Sequence, residues 1–580
     1  MNVSYRLKPV FTLVLKLAII LICNQSSMFA QIWVGNGDGI SWGDGANWST
    51  NSVPTSSSNA VINDATVILS DQYIVQSLSL DNASLTIAQQ SGIRIRGADA
   101  IALNLTGSSE VAIEGQLRID DFQSTGIRIS DISIVDVRPS GFLRIDSEGI
   151  TGVRVESGTF NNSGDAIIEN ILVGLYSEGL TTNDGTLLID NVQTIGIDHR
   201  NGDFKNCTSG RIEIIGKINS NENAIGIDTR SELTNEGTIE VVSCYEASIR
   251  IHQSVLINKD SLIFRDYGMG IFGGITTGSS LVHNEASGVM YFKTSSENHI
   301  TVAISSYGTV NNHGKIIMLD RTDTGIHLGR QFMTPSNSAT ATFNNYGIID
   351  CFGYASSIFI FNEAIFKNHP TGEIIIGPTG EPNTAIFTNA SFTNEGQIFI
   401  EWPGTSESCI ASYSSSGPAY FINRGQIDLS GGSISIQMNG PGGGRSVLIN
   451  DETGVLNISS AARGINLGDT LINHNVINID NCHSIGVVVV GNLTESSFLD
   501  NRDSMFIRNT RRPMSIAGEF QNSNYLEIEN GRDVGMQVER NAIFKNTSSA
   551  FSSIESDIPL VDSLGSILDI QGELILSIPN

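Results

Sequence analysis

Two short segments of the chain carry the residues with the clearest capacity for chemistry. In the first, Asp198 and Arg200 flank His199, and in the second, Asp228 and Arg230 flank a threonine. Carboxylates that converge beside a histidine can act as the acid and base of polysaccharide hydrolysis, and a basic residue beside a carboxylate can accept a proton in a lyase. These five residues are therefore the candidates for a catalytic site.

The same spacing also has a structural interpretation. If the two segments are equivalent strands of neighbouring repeats, the two aspartates and two arginines stack as a patch of four charges, with His199 beside it. Opposite charges on neighbouring strands contribute roughly 0.2–1 kcal/mol per pair, which is enough to explain the pattern. We favour this ladder of charges over a catalytic cluster.

The composition of the chain excludes several classes of protein. The 580 residues have a formal net charge of −27, which argues against a main role in binding the phosphate backbone of nucleic acids. The 59 glycines lack the period of three that collagen requires, and a content of 40% hydrophobic residues is too high for a disordered chain. Few charged residues and frequent glycine indicate a folded, extracellular chain that is rich in β-strands and turns.

Residues 1–30 are predicted to be a secretory signal peptide. Arg6 and Lys8 precede an apolar run that ends at Cys23, and Ala30 provides a small residue for cleavage. The run is too short and interrupted to span a membrane, and no later stretch approaches the ~20 apolar residues of a spanning helix. The cysteines after residue 30 are odd in number and widely spaced, so they do not indicate a disulfide framework.

The strongest signal in the sequence is an internal repeat. An apolar residue, an asparagine, a short turn with glycine and alternating aliphatic residues recur about every 26 residues. Phe343-Asn344-Asn345-Tyr346-Gly347 and Phe392-Thr393-Asn394-Glu395-Gly396 are two examples. The turn asparagine of each repeat lies at position 162, 183, 206, 235, 258, 284, 312, 345, 368, 394, 423, 450, 473, 501, 522 or 546.

Two further elements complete most repeats. A glycine followed by alternating aliphatic residues, as in Gly152-Val153-Arg154-Val155, precedes the asparagine element. An alternating element that ends in an acidic or polar turn, as in Leu143-Arg144-Ile145-Asp146, forms the third. Three short strands per repeat without a helical period predict an all-β solenoid, whose stacked coils bury the aliphatic face that one coil cannot bury alone. A β-propeller is disfavoured because a blade needs four strands and about 40 residues.

Two residue types are expected to shape the turns between these strands. Asparagine tolerates the left-handed region of the backbone, and its amide can stack on the asparagine of the next coil. Glycine is expected to supply a positive φ where a side chain would clash.

The repeats resemble the right-handed parallel β-helix of secreted bacterial proteins, the architecture of pectin-lyase-like enzymes and of autotransporter-type adhesin passengers. The resemblance covers residues 65–570, which we take as the repeat domain. It implies a location outside the cell or on the outer surface of a Gram-negative bacterium. Because this fold hosts both enzymes and non-catalytic stalks, the resemblance does not choose between them.

Residues 31–64 differ from the repeats and are expected to form an N-terminal cap. Trp33, Trp42 and Trp48 resemble the tryptophan-rich opening that precedes β-helical repeats in secreted Gram-negative surface proteins. Bulky aromatic side chains can cover the open edge and the open core of a first coil. The alternative is a patch of rings that stacks on carbohydrate. Residues 571–580 form the C-terminal end of the chain.

Four more residues are candidates for binding. Asp38 and Asp44 lie in Gly-Asp-Gly segments that resemble fragments of calcium loops, although turn chemistry also explains them. Calcium is therefore the one metal ion that the sequence suggests. Trp402 and Tyr413 bound a segment that departs from the repeat, and residues 330–341 form the longest insertion. Insertions in solenoids collect on one face and often bind ligands, but they can also be tolerated surface loops.

Together, these features predict a secreted or cell-surface adhesion and matrix-type protein without catalysis. We expect a monomeric rod that binds a host or environmental glycan, or another cell-surface component, and that neither binds nucleic acid nor spans a membrane. The alternative is a polysaccharide lyase or glycoside hydrolase on the same fold, which would act on an acidic or on a plant or algal polysaccharide.

Overall fold

A computed structural model of the chain describes residues 30–217, 224–273, 280–293, 302–319, 324–329, 340–352, 357–361, 363–377, 384–402, 408–413, 418–439, 445–491 and 497–579. The predicted signal peptide, apart from Ala30, lies outside the described residues. So do residues 330–339 of the longest insertion and residues 403–407 of the segment between Trp402 and Tyr413.

The chain divides into two compact units, Met1–Ile189 and Asp190–Asn580, and each is a parallel β-solenoid. In both units, a repeat contributes three strands, and each strand pairs in parallel with the equivalent strand of the next repeat. The predicted all-β fold with three short strands per coil is therefore confirmed. The helical structure among the described residues is a single 3-10 turn at Gly45–Asn47, so none of these residues belongs to a helix that could cross a membrane.

The three strand positions form three ladders, which we number in chain order within a repeat. In most repeats, the first ladder holds the strand of the glycine-aliphatic element, the second holds the strand that ends at the turn asparagine, and the third holds the strand that follows. In the unit Met1–Ile189, the first ladder comprises Gln31–Ile32, Asn59–Asn63, Ser77–Asp81, Ile101–Thr106, Thr125–Ile129, Thr151–Val155 and Val173–Ser177. The second comprises Thr66–Leu69, Ser84–Ile87, Glu110–Ile113, Ile134–Val137, Thr159–Asn162 and Leu180–Asn183. The third comprises Gln72–Val75, Gly92–Arg96, Gln116–Asp120, Phe142–Asp146 and Asp165–Glu169. A further strand, Thr186–Val192, contains the division between the units.

The unit Asp190–Asn580 has the same three ladders. Its first ladder comprises Ile195–His199, Ile225–Thr229, Ala247–Ile251, Met269–Gly273, Val302–Ser306, Thr324–Leu328, Ile358–Ile360, Ile386–Thr388, Ser408–Tyr413, Ile434–Asn439, Arg463–Leu467, Ile485–Val489 and Arg512–Ile516. Its second comprises Phe204–Asn206, Leu233–Asn235, Val255–Asn258, Leu281–Asn284, Thr309–Asn312, Thr342–Asn345, Ile365–Asn368, Ser391–Asn394, Ala419–Asn423, Ser446–Asn450, Thr470–Asn473, Phe498–Asn501, Glu519–Asn522, Ile543–Asn546 and Ile567–Ile570. Its third comprises Arg211–Gly216, Thr238–Val242, Ser261–Arg265, Val289–Lys293, Lys315–Leu319, Ile348–Phe352, Glu373–Ile376, Gln397–Trp402, Gln426–Gly431, Val455–Ser459, Val476–Asp480, Ser504–Arg508 and Glu573–Ser577.

Two long strands, Tyr525–Val538 and Phe551–Asp562, join the third ladder of this unit to the first. The beginning of Tyr525–Val538 pairs with the third-ladder strand Ser504–Arg508, and its end pairs with the first-ladder strand Arg512–Ile516. The first and third ladders therefore belong to one sheet, and the second ladder forms a separate sheet.

The turn asparagines are the most regular feature of the interior. In the unit Asp190–Asn580, each donates from Nδ2 to the Oδ1 of the next one along, at 2.7–2.9 Å, from Asn206 to Asn546. In the other unit, Asn162 donates to Asn183 in the same way at 2.8 Å. These amides are buried, and many donate a second bond to a backbone carbonyl in or beside the turn, as Asn206 does to the carbonyl of Gly210. The predicted stacking of amides is confirmed.

The prediction that asparagine and glycine adopt positive φ angles in these turns is wrong. None of the stacked asparagines has a positive φ, and the turn glycines Gly347 and Gly396 do not either. A Cβ on Gly347 would lie 2.0 Å from the carbonyl oxygen of Gly314, which belongs to the preceding coil. Glycine is therefore required because successive turns stack too closely for a side chain. Positive φ angles occur instead after strands of the other two ladders, as at Asp266 after a third-ladder strand and Asp131 after a first-ladder strand.

Aromatic side chains fill the interior beside this asparagine stack. The rings of Phe343, Phe366, Phe392 and Phe421 lie with successive centroids 4.7–5.0 Å apart and nearly parallel planes. That separation is close to the spacing of hydrogen-bonded strands, so each ring packs on the ring of the next coil.

The three N-terminal tryptophans form a buried cluster in the unit Met1–Ile189. The rings of Trp42 and Trp48 lie 4.9 Å apart in an edge-on arrangement, and Trp33 lies 5.1 Å from Trp48. The indole Nε1 of Trp48 donates to the carbonyl of Trp42 at 3.0 Å. Because all three side chains are buried, they expose no ring face on which a sugar could stack.

Replacing an asparagine in the middle of the stack tests its contribution. Asn345→Ala removes the acceptor of Asn312 and the donor to Asn368, and both of those groups are buried. We expect a loss of about 2 kcal/mol in the free energy of unfolding, measured by urea denaturation. The control Asn344→Ala removes a partly exposed amide from the same strand and should cost less than about 1 kcal/mol. Equal losses in the two variants would contradict this role of the stack.

Candidate functional site

The candidate catalytic residues lie on neighbouring first-ladder strands. In the parallel register, Asp198 is opposite Asp228, and Asp228 is opposite Arg250 of the third strand. The predicted stacking of the two aspartates is therefore correct. Arg200 and Arg230 follow the ends of their strands, and each contacts the aspartate of its own strand.

Arginine side chains cover both carboxylates. Arg200 Nη2 lies 3.0 Å from Asp198, whose side chain is 5% exposed. Arg250 binds Asp228 through two nitrogen–oxygen contacts of 2.9 Å each, and the Asp228 side chain is 1% exposed. Arg230 is farther from Asp228, at 3.6 Å. A substrate could reach these carboxylates only after the arginines had moved aside.

Sequence reasoning missed Arg250 and His252. Nε2 of His252 lies 2.7 Å from Asp228 Oδ1, but it is outside the direction of a hydrogen bond. Burial opposes ionisation of Asp228, yet the hydrogen bonds and charge of Arg250, together with His252 and Arg230, lower its pKa below the usual value. Asp228 is therefore a charge-compensated carboxylate and not a proton donor near neutral pH.

His199 is not beside the charged patch. Successive residues of a strand point to opposite faces, so Asp198 faces outward and His199 faces the interior, where it is buried. Nε2 of His199 lies 3.2 Å from the carbonyl of Gly202, and Nδ1 lies 3.0 Å from the hydroxyl of Thr229. Burial lowers the pKa of His199, which favours the neutral ring. Its position suits a packing role inside the coil.

The two aspartates near the N-terminus hold a turn together. Oδ1 of Asp38 accepts the backbone N–H groups of Ile40 and Ser41 and the side-chain amide of Asn47. These hydrogen bonds, with Ser41 contributing most, lower the pKa of Asp38. Asp44 accepts the N–H groups of Asp38 and Ala46. Among the described residues, no group of three or more His, Cys, Asp or Glu side chains is arranged to hold a metal ion.

The binding candidates Trp402 and Tyr413 have different environments. Trp402 ends a third-ladder strand and its ring is buried, so it offers no exposed face to a ligand. Tyr413 is partly exposed and stacks on Phe387 at 5.6 Å, as part of a column of rings on the first ladder that includes Phe359.

A surface that the sequence did not reveal lies on the outer face of the third ladder. Over six consecutive strands, from Ser261–Arg265 to Gln397–Trp402, nine of the 17 outward-facing side chains are apolar and at least partly exposed. The other eight are polar or charged and include Lys315 and Asp350, which lie 3.6 Å apart among the apolar residues. We call this surface the apolar strip; its members are Ile263, Val289, Tyr291, Ile317, Leu319, Ile348, Phe352, Ile375 and Phe399.

A shallow groove lies where the apolar strip meets polar residues. Ile375 and Phe399 line one part of it, and Asp428 and Asn457, on the next two strands, line the other. Its volume is about 450 Å³, and the remaining lining residues are Ile376, Gly377, Ile400, Glu401, Leu429, Ser430 and Ser459.

The polar wall of the groove is held by side-chain hydrogen bonds. Asn478 donates to Asn457 at 2.8 Å, and Asn457 donates to Asp428 at 2.6 Å. Gln426 donates to the other carboxylate oxygen of Asp428 at 2.7 Å. The carboxylate is therefore fixed in orientation while it remains at the groove surface.

No family model matches this chain, and no curated protein or solved structure is similar enough to match it. The fold and the geometry of these sites are therefore the basis for a functional proposal.

Removing the arginine that neutralises Asp228 tests the structural role of the charged patch. Arg250→Met leaves a buried carboxylate without its main partner, which should cost about 3 kcal/mol in the free energy of unfolding. The control Arg211→Met breaks a pair that is exposed to solvent and should cost less than about 1 kcal/mol. Chemical denaturation of both variants measures the difference, and a loss of the same size in both would count against this role.

Acid should remove the stabilising effect of Asp228. Its pKa is lower in the folded chain than in the unfolded chain, so the ionised pair stabilises the fold above pH ~4 and loses that effect as the pH falls through the folded pKa. The stability difference between the wild type and Asp228→Asn should therefore be largest near pH 7 and shrink below pH ~4. Thermal unfolding between pH 2 and 7 measures it, and a constant difference would contradict the assignment.

Proposed function

We propose that this chain is a secreted or surface-displayed adhesion and matrix-type protein that binds through the apolar strip, without chemistry of its own. The observation that carries the proposal is the run of partly exposed apolar side chains on six consecutive third-ladder strands. The outward face of a solvated sheet is ordinarily polar, so this concentration of apolar side chains favours a role in recognition.

The size of the strip supports binding of a narrow, extended partner. Six strands ~4.8 Å apart span about 24 Å, and the outward positions of one strand span about 13 Å, which gives roughly 300 Å² for the apolar and polar residues of this face together. A stable protein dimer needs about 800 Å² on each partner, so a single polymer chain that lies across the strands fits the strip better than a second folded protein does.

The charged patch is the specific observation that would favour the alternative, a polysaccharide lyase or hydrolase. Asp198 and Asp228 are adjacent carboxylates of the kind that such enzymes use. Here each carboxylate is buried and bound to an arginine of the same chain, which favours a structural role. The enzymatic proposal is therefore second.

The expected location follows from the N-terminal sequence, whose basic, apolar and small residues favour secretion. A glycan or another component of a cell surface or matrix is the partner that this location favours. The acidic composition keeps such a protein soluble and repels other copies.

Replacing two residues of the strip tests the proposal. The double variant Tyr291→Ser with Ile317→Ser should lower binding of the purified protein to Gram-negative cells and to mucin-coated wells at least tenfold, because it removes apolar contact area. The control, Ile449→Ser with Ile472→Ser, changes partly exposed residues of the second ladder and should bind as the wild type does.

Two results would overturn the proposal. One is that the wild type binds neither surface, or that both double variants lose binding equally. The other is release of unsaturated or reducing ends from pectin, alginate or chondroitin by the wild type, with loss of that activity in Asp198→Ala.

A further inference from the structure

The groove at the end of the apolar strip combines apolar side chains with hydrogen-bonding side chains. Its floor is the outward face of Ile375 and Phe399, and its wall is Asp428 and Asn457. We infer that this groove binds a neutral polysaccharide. One sugar ring would pack on Phe399, and its hydroxyl groups would donate hydrogen bonds to Asp428. The inference rests on the proposed function and names the class of ligand for one end of the same surface.

A sugar ring matches this combination because it is amphipathic. Its C–H groups form an apolar face that packs on aromatic rings, and its hydroxyl groups lie around the edge. Phe399 supplies a partly exposed ring in the middle of a third-ladder strand. The groove places hydrogen-bonding groups around this ring, with Asp428 on the neighbouring strand and Glu401 on the strand of Phe399 itself.

Asp428 is prepared to accept hydrogen bonds from a ligand. Gln426 and Asn457 each occupy one lone pair, on different oxygens of its carboxylate, and Asn478 holds Asn457 in turn. A carboxylate offers about four lone-pair sites, so two remain for hydroxyl donors. Because neighbouring amides fix its orientation, Asp428 loses little conformational entropy on binding.

The charge of the groove selects against acidic polysaccharides. The described residues that line it include two carboxylates, Asp428 and Glu401, and no lysine, arginine or histidine. A uronic acid or sulfate group placed there would meet like charge without a base to pair with. The net charge of −27 for the chain adds to this repulsion.

The groove is also of a suitable size for sugars. Its volume is about 450 Å³, and it is shallow and open to solvent, so a sugar unit in it would be covered on one face only. The groove and the strip together accommodate successive units of one polysaccharide chain that crosses the strands. The same surface is too small for a stable interface with a second protein.

Affinity electrophoresis of the full chain tests the inference. Native gels would contain hydroxyethyl cellulose, glucomannan or xyloglucan as neutral polymers, and polygalacturonate as the polyanion. We expect at least one neutral polymer to retard the wild type and polygalacturonate not to do so. Phe399→Ala should raise the dissociation constant at least tenfold, and Asp428→Asn, which changes no apolar contact, at least threefold.

The control is Phe506→Ala, which removes another outward-facing ring from the same ladder, beyond the groove. It should migrate as the wild type does. The inference is overturned if none of the three neutral polymers retards the wild type, if polygalacturonate retards it as strongly, or if Phe506→Ala weakens binding as much as Phe399→Ala.

The outcomes separate this inference from the proposed function. If the wild type binds cells or mucin through Tyr291 and Ile317 but is not retarded by any neutral polymer, the choice of ligand is wrong and the binding role stands. If it binds nothing in either experiment, both fail. Asp428→Asn keeps the test decisive even if Phe399→Ala does not fold.

Discussion

The hydrogen bond between the side-chain amides of asparagines in neighbouring coils is the constraint on which the rest of the structure depends. From Asn206 to Asn546, each amide is buried and bonded to the next. A shift of one residue between two coils would turn these side chains to the other face and leave buried polar groups without partners. From Asn206 to Asn546, the register is therefore fixed at one position per coil.

A fixed register allows the rest of each coil to vary in length. Successive asparagines are as few as 21 residues apart, from Asn162 to Asn183, and as many as 33 apart, from Asn312 to Asn345. The extra residues leave the pairing of the strands intact, as in the third-ladder strands that begin at Lys315 and Ile348. This is how a chain with uneven repeats keeps continuous ladders.

The same register determines which side chains meet on the outer surface. It places Asp198 against Asp228, a contact of like charges that Arg200 and Arg250 compensate. In the third ladder it aligns apolar residues into the strip and places Phe399 beside Asp428. Both the charged patch and the groove are thus products of stacking.

Much of the fold could be predicted from the sequence because its determinants are local. The turn asparagines and the alternating strands recur with a visible period, and the two aspartates occupy equivalent places in their repeats. Arg250 was missed because its strand begins Ala247-Ser248, without the glycine that marks the element. The reason for glycine at position 347 was predicted wrongly. A side chain is excluded there by the carbonyl oxygen of Gly314, one coil away, and not by a positive φ. The groove could not be predicted because it needs the exact alignment of strands whose repeats differ in length.

A double-mutant cycle on two neighbouring asparagines tests the central constraint most directly. The free energy of unfolding would be measured for the wild type, Asn345→Ala, Asn368→Ala and the double variant. If the 2.8 Å hydrogen bond between the two side-chain amides links the coils, the sum of the losses in the two single variants should exceed the loss in the double variant by about 1–2 kcal/mol. Losses that add to within about 0.3 kcal/mol would contradict the account.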